Sequence, residues 1–139
     1  MEAIHELIAS AKEYIENGKT EQALERYNDA FNVLVEQAAA FARAETGDLT
    51  DEAELRAIAP LLLSYSKEYL AQDLTAATIL NAMGLLFAEL GDYENAKQKF
   101  EESIDYIPAN MDYADPVQNL EDINARVIKN AELESVDEE

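Results

Sequence analysis

The chain has 139 residues, of which 48% are hydrophobic, and only four glycines and three prolines interrupt it. This length suits one domain with a single core, and the composition favours an all-helical fold over disorder or a β-sandwich. The absence of cysteine excludes disulfides and thiolate metal sites. Neither a run of about 18 apolar residues nor a basic-then-apolar N-terminal leader is found, so we expect a cytoplasmic protein without a membrane span.

The charge is strongly unbalanced, since 30 acidic and 10 basic residues give a formal net charge of −20. Nucleic acid and anionic membranes are disfavoured as direct ligands, because phosphate backbones and anionic headgroups attract a basic surface. Three explanations of the acidity remain open: a well-solvated surface, a basic partner, or a high-salt cytoplasm.

Two helices are predicted at the N-terminus. Residues 2–17 carry an apolar stripe at helical spacing, and Gly18 follows where a helix would end. The second helix begins at Thr20 and continues to about residue 45, because no helix-breaking residue precedes Gly47, which with Asp48 ends it.

A third helix is predicted over residues 51–72. Asp51 is suited to cap its start. Pro60 removes a backbone donor in the middle of the segment, so a kink or a short break is expected near Ala59.

Residues 77–110 form the most regular stretch, two antiparallel helices joined by a tight turn. Gly91 lies where a helix end requires a left-handed backbone, and Asp92 can cap the next helix. Pro108 disfavours helical backbone at the residue before it, so the second helix should end near Ile107.

Small residues indicate how the helices of this hairpin meet. Gly84 and Ala96 are expected to face each other closely, with Phe87 and Phe100 filling the space beside them. The spacing resembles one tetratricopeptide repeat, a helix–turn–helix unit of about 34 residues. The resemblance rests on Leu80, Met83, Gly84, Phe87, Gly91, Tyr93, Ala96, Phe100 and Pro108.

A degenerate copy of the same pattern occupies residues 4–37. Its key positions precede those of the clear repeat by a constant 73 residues. The corresponding sets are Leu7, Ala11, Tyr14, Gly18, Ala23, Tyr27 and Ala30, followed by Leu80, Gly84, Phe87, Gly91, Ala96, Phe100 and Ser103. This copy departs from the family at Ser10, where Leu is expected, and at Val35, where Pro is expected. The resemblance implies a short array whose atypical middle repeat combines the end of the long second helix with the third helix.

The remaining residues are predicted to close the array. Residues 109–115 form a loop, and Asp115 begins a last amphipathic helix that lacks the repeat pattern. Helical arrays need a terminal element with a polar outer face, so we interpret this helix as a cap. The tail from Glu132 is expected to fray. We therefore assign residues 1–134 to one tetratricopeptide-like domain and 135–139 to an acidic tail.

The sequence offers little to catalysis or metal binding. His5 is the only histidine, which excludes a histidine-based triad and a site with several histidines. Acidic pairs such as Glu101-Glu102 are expected among thirty carboxylates, and no calcium loop or glycine-rich phosphate loop occurs. We predict that the chain is not an enzyme and has no catalytic, metal-binding or cofactor-binding residue and no cofactor.

The resemblance also implies a binding surface, because in this family the first helix of each hairpin lines a concave groove. The residues predicted to contact a partner there are His5, Ile8, Lys12, Thr78, Asn81 and Leu85. A clamp for a terminal carboxylate would have only Lys12 and Asn81, so a mixed apolar groove for a helix or an extended segment fits better. The alternative is that Ile8 and Leu85 are buried under neighbouring helices.

The expected function is non-catalytic protein–protein binding, as an adaptor, an assembly factor or a co-chaperone. The partner would be a peptide or a helix. It would be basic if the net charge of −20 on this chain reflects the charge of its partner. The alternative is structural self-association, in which the groove or the last helix packs against a second copy. A stable dimer that buries the groove would favour self-association, and a monomer would favour a different partner.

Overall fold

The computed structural model describes residues 2–47 and 51–137, and these form an all-helical fold, as predicted. Asp48, expected to help end the second helix, lies outside them. The six helices are α1 (Glu2–Glu16), α2 (Thr20–Thr46), α3 (Glu52–Leu70), α4 (Thr75–Glu89), α5 (Tyr93–Asp105) and α6 (Asp115–Asp137).

Two hairpins, α1–α2 and α4–α5, turn in the same way. Gly18 and Gly91 have φ of +73° and +81°, the left-handed backbone that glycine adopts readily. In each turn the glycine N–H donates to the carbonyl three residues earlier, and the following N–H donates to the carbonyl five residues earlier. This is the Schellman arrangement. Its bonds are Gly18 to Ile15 (3.1 Å), Lys19 to Tyr14 (2.8 Å), Gly91 to Ala88 (3.0 Å) and Asp92 to Phe87 (2.9 Å).

Both hairpins bury small side chains where their helices cross. Ala11, Ala23, Ala30, Ala96 and Ser103 are fully buried, and Gly84 is buried as well. Phe100 fills the space beside Gly84, as predicted, whereas the close approach of Gly84 to Ala96 stays a prediction. A Cβ at Gly84 would lie within 3.0 Å of three carbons of the Phe100 ring, so the glycine makes room for that ring.

The second hairpin stacks directly on the first, since α4 packs against α2. The C-terminal half of α2 extends past this contact and pairs with α3, as predicted for the middle unit. There the Phe41 ring packs against Tyr65 and Tyr69, and the Tyr69 hydroxyl donates to Gln37 Oε1 at 3.0 Å. Because α4 packs on α2 itself, this middle unit does not separate the two hairpins.

The predicted short break in α3 is absent, since the residues on both sides of Pro60 are helical. Asp51 caps the helix as expected, because its Oδ1 accepts from the Ala53 N–H at 3.0 Å. Proline removes one helical hydrogen bond, which leaves the Arg56 carbonyl without its partner. Pro60 and Arg56 are both exposed, so water can satisfy that carbonyl and the helix continues.

The hairpins enclose the main core, whose fully buried large side chains include Ile4, Ile79 and Leu80. A smaller core lies under α6, which packs against α5 and α4 and buries Ile123 beside Ala96 and Phe100.

The last helix, α6, continues to Asp137, past Glu132, where we expected fraying to begin. Residues 138 and 139 lie outside the described part of the chain, and the division of the chain at residue 134 stays a prediction. Among the helices described, none alone is long and apolar enough to span a membrane. The pair α3 and α4, bent by 82°, meets that criterion only together.

Candidate functional site

The residues predicted to line a concave groove differ in exposure. His5, Lys12 and Thr78 are exposed on α1 and α4. Ile8 is half-buried and packs against the main core. Leu85, in contrast, is 48% exposed, so the alternative in which both residues are buried holds in part for Ile8 and is wrong for Leu85.

The exposure assumed for Asn81 is wrong, because only 6% of this residue is accessible. The helix α6 packs over this part of α4, and Asn119 Nδ2 donates to Asn81 Oδ1 at 2.9 Å. Burial, and then the Asp115 carboxylate, raise the pKa of Tyr113 above 10.0, while the neighbouring Asn81 side chain opposes this in part. Asn81 thus joins α6 to the second hairpin and is not available to a partner.

The surface around Leu85 is a shallow groove between α4 and α6, with a volume of about 190 Å3. Its other wall comes from α6, with Asn119, Ile123 and Arg126. Leu85 therefore does not lie in the predicted groove, which was to be formed only by the first helix of each hairpin.

A larger apolar depression lies between α2, α3 and the end of α5, and we call it the α2–α3–α5 cleft. Its volume is about 410 Å3, within the range of roughly 300–1,000 Å3 that small-molecule pockets occupy. The lining residues are Phe31, Val35, Ala38, Ala39, Leu63, Ser66, Lys67, Leu70, Asp105 and Tyr106.

The cleft has large apolar side chains that the fold leaves uncovered. Leu63 is 73% exposed and Val35 is 41% exposed, and both line the cleft. On α3, Leu61 is also 47% exposed, and residues 57–66 contain no charged residue in a chain that is 29% charged. Large exposed apolar patches are one feature of interaction surfaces, which makes this cleft the candidate site.

Opposite charges stand on the two walls of the cleft, Lys67 on α3 and Asp105 on α5. These two side chains do not form an ion pair, because the Lys67 nitrogen and the Asp105 carboxylate oxygens are more than 4.0 Å apart. Burial, and then the carboxylates of Glu102 and Asp105, raise the pKa of Tyr106 above 10.0. The α5 end of the cleft therefore places the carboxylate of Asp105 beside an apolar floor.

The sequence-based site prediction missed this cleft, although two signals in the sequence pointed to it. One is Val35, which stands where the repeat pattern expects proline. Without that proline α2 continues, and Val35, Ala38 and Ala39 come to line the cleft. The other is the uncharged run at residues 57–66, whose three consecutive leucines cannot all lie on one buried helix face.

A second cleft lies between α2, α4 and α5, with a volume of about 450 Å3. Leu24, Met83 and Phe87 line it, but polar side chains from α2 and α5 surround them. Lys99 in this cleft is paired with Glu102 at 3.4 Å. This cleft exposes less large apolar surface than the α2–α3–α5 cleft.

Within residues 2–47 and 51–137, no group of three or more His, Asp or Glu side chains is arranged to hold a metal ion. Comparison of the chain with protein-family models, with curated proteins and with solved structures gives no match.

Proposed function

We propose that the chain is a non-catalytic protein–protein interaction module. The observation that carries this proposal is the exposure of Leu63 and Val35 on one apolar cleft. Burying a large aliphatic side chain contributes about 1.5–3 kcal/mol, so a partner that covers both gains a substantial part of its binding energy there.

The repeated hairpin supports the same proposal. Its two copies share glycine turns, hydrogen bonds and buried small residues, features that fit the resemblance to tetratricopeptide repeats. Stacked helical hairpins form extended surfaces that bind other proteins.

Affinity capture with matched variants tests this proposal. Tagged wild-type protein is compared with Val35→Ser/Leu63→Ser and with a control, Val127→Ser/Ile128→Ser, which changes two exposed apolar residues on α6. Val127 is 43% exposed and Ile128 is 60% exposed. We expect mass spectrometry to identify a protein that wild type and the α6 control retain and the cleft variant loses. A cleft variant that retains every captured protein as wild type does would contradict this use of the cleft.

Self-association is the second candidate, and the uncharged run at residues 57–66 favours it. Copies carrying a charge of −20 can approach each other most easily where few charges lie. Sedimentation equilibrium at about 0.15 M NaCl, where the Debye length is about 8 Å, distinguishes the two candidates. A dimer that Val35→Ser/Leu63→Ser dissociates would support self-association, and a monomer at all concentrations would contradict it.

A further inference from the structure

We infer that the occupant of the α2–α3–α5 cleft is a basic amphipathic helix, whose apolar stripe enters the cleft while its Lys and Arg side chains meet the surrounding carboxylates. This inference rests on the proposed function and adds the chemical class and the secondary structure of the partner. It also places binding away from the concave groove that the sequence predicted.

The shape of the cleft favours a helix as occupant. Val35, Ala38 and Ala39 lie at i, i+3 and i+4 on α2, the spacing of one helix face. The half-buried Ala39 has a small side chain that allows another helix to approach α2 closely, while Leu63 on α3 and Tyr106 after α5 also line the cleft. The described residues form helices and no strand, so a partner finds no sheet edge here to extend.

The charge around the cleft selects a basic partner. The stretches of chain that line it, residues 31–39, 63–70 and 105–106, contain one basic residue, Lys67. Their acidic residues are three: Glu36, Glu68 and Asp105. These stretches therefore have a net charge of 1 − 3 = −2, and the whole chain has −20. Complementary potentials of this kind accelerate association with a cationic partner and disfavour an acidic one.

The same charge argues against a second copy as occupant. A second copy would bring −20 to a site whose own segments are acidic, whereas a basic helix is attracted to it. Apolar contact with Leu63 and Val35 then contributes most of the affinity, and attraction to the carboxylates makes binding specific for a basic partner.

Synthetic peptides that carry one tryptophan test the inference directly. The protein itself contains no tryptophan, so tryptophan emission reports on the peptide alone. The probe is a blocked peptide of Leu and Lys of about 18 residues, roughly five helical turns, with leucines on one face and one replaced by Trp. One control has the same composition in an order without an apolar face, and a second has Glu in place of each Lys. Binding is followed by the blue shift of Trp emission as full-length protein is added.

We expect the amphipathic Leu-Lys peptide to bind with a blue shift and the other two peptides to bind at least about tenfold more weakly, a difference of about 1.4 kcal/mol. Leu63→Ser alone, or with Val35→Ser, should weaken binding by about tenfold or more, as expected for loss of a buried Leu. Asp105→Lys should weaken it as well and make it less sensitive to salt. The matched control, Val127→Ser/Ile128→Ser, should bind the peptide within about twofold of wild type. Most substitutions of surface residues away from the binding site have little effect. Circular dichroism checks that every variant is folded.

The inference is overturned if the scrambled Leu-Lys peptide binds as well as the amphipathic one, which would mean attraction by charge alone. It is also overturned if Leu63→Ser and Asp105→Lys both leave the affinity unchanged. A protein that affinity capture retains through the cleft, but that lacks a basic amphipathic helix, would reject this inference while leaving the proposed function intact. If capture retains no partner while the peptide still binds at the cleft, the proposed function fails and the binding preference stands.

Discussion

Phe100 shows how single side chains determine the geometry of the second hairpin. Phe100 is 1% exposed, its ring lies against Gly84, and it shares a buried cluster with Ile123 of α6. No larger residue fits at position 84 unless the ring moves. The glycine is therefore required for packing, despite its cost to a helix of about 1 kcal/mol relative to alanine.

Gly84→Ala should destabilise the protein, because overpacking costs about 1–3 kcal/mol against a gain of about 1 kcal/mol in helix propensity. Thermal and urea unfolding followed by circular dichroism measure the difference. Adding Phe100→Leu should reduce the penalty of Gly84→Ala, because a smaller, flexible side chain leaves room for the methyl group. A stabilising Gly84→Ala, with no coupling to position 100, would contradict the contact.

Asn81 is a polar residue buried between α4 and α6. Asn81→Ala removes the acceptor of the Asn119 amide, and the loss of this partly buried hydrogen bond should cost about 0.5–1.5 kcal/mol. We expect a lower unfolding midpoint in urea for Asn81→Ala. Thr78→Ala, at an exposed position on the same helix, should stay within about 0.5 kcal/mol of wild type. Equal stability of both variants would mean that α6 does not depend on this contact.

The helix α2 has 27 residues and packs against α1, α3 and α4. Its first half forms a hairpin with α1, while its second half receives α3 and helps to line the cleft. An uninterrupted α2 is therefore what places α3 beside the two stacked hairpins. The helix α3 is held at its C-terminal end by Tyr65, Tyr69 and Leu70, whereas residues 51–57 are all exposed.

Pro60→Ala should strengthen α3, because proline inside a helix costs about 3 kcal/mol relative to alanine. The greater freedom of the unfolded chain offsets about 0.4–1 kcal/mol of this gain, so a net gain of about 2 kcal/mol is expected in urea unfolding. Ala59→Gly, at the adjacent exposed position, should cost about 1 kcal/mol. No gain from Pro60→Ala, together with no loss from Ala59→Gly, would mean that α3 contributes nothing to global stability.

A net charge of −20 on a chain of 139 residues opposes compaction through repulsion among like charges. Only three ion pairs are formed among the described side chains, all within single helices and at least partly exposed. Such pairs contribute little. The fold therefore depends on its apolar cores, and pH affects it through the net charge and through buried tyrosines.

Alkaline pH should destabilise the protein, in part through ionisation of the buried Tyr27. Burial raises the pKa of Tyr27 in the folded state above its ordinary value of 10.0. Above pH 10 the unfolded state releases this proton more readily than the folded state, so the unfolding free energy falls as pH rises through the folded pKa. Tyr27→Phe should show a smaller fall in urea midpoint over this range, at constant high salt. An identical pH dependence in both proteins would contradict this role.

The all-α class and the helix boundaries were predictable from the sequence, since their determinants act over a few residues. Gly18 and Gly91 end helices because glycine adopts positive φ, and Asp92 accepts from the Asn95 N–H at 3.3 Å. Pro60 shows the limit of such reasoning, because the penalty of one proline was smaller than the tendency of its neighbours to remain helical.

The candidate site depended on tertiary structure. An apolar stripe indicates that a helix packs against something, but it does not identify the neighbour. The docking of α6 over α4 buried Asn81, and the pairing of α3 with the end of α2 left Leu63 exposed. The helices, their turns and the pattern of small residues could be predicted, because they depend on local backbone and side-chain geometry. Which helix faces stay uncovered could not, because that depends on contacts between residues far apart in the chain.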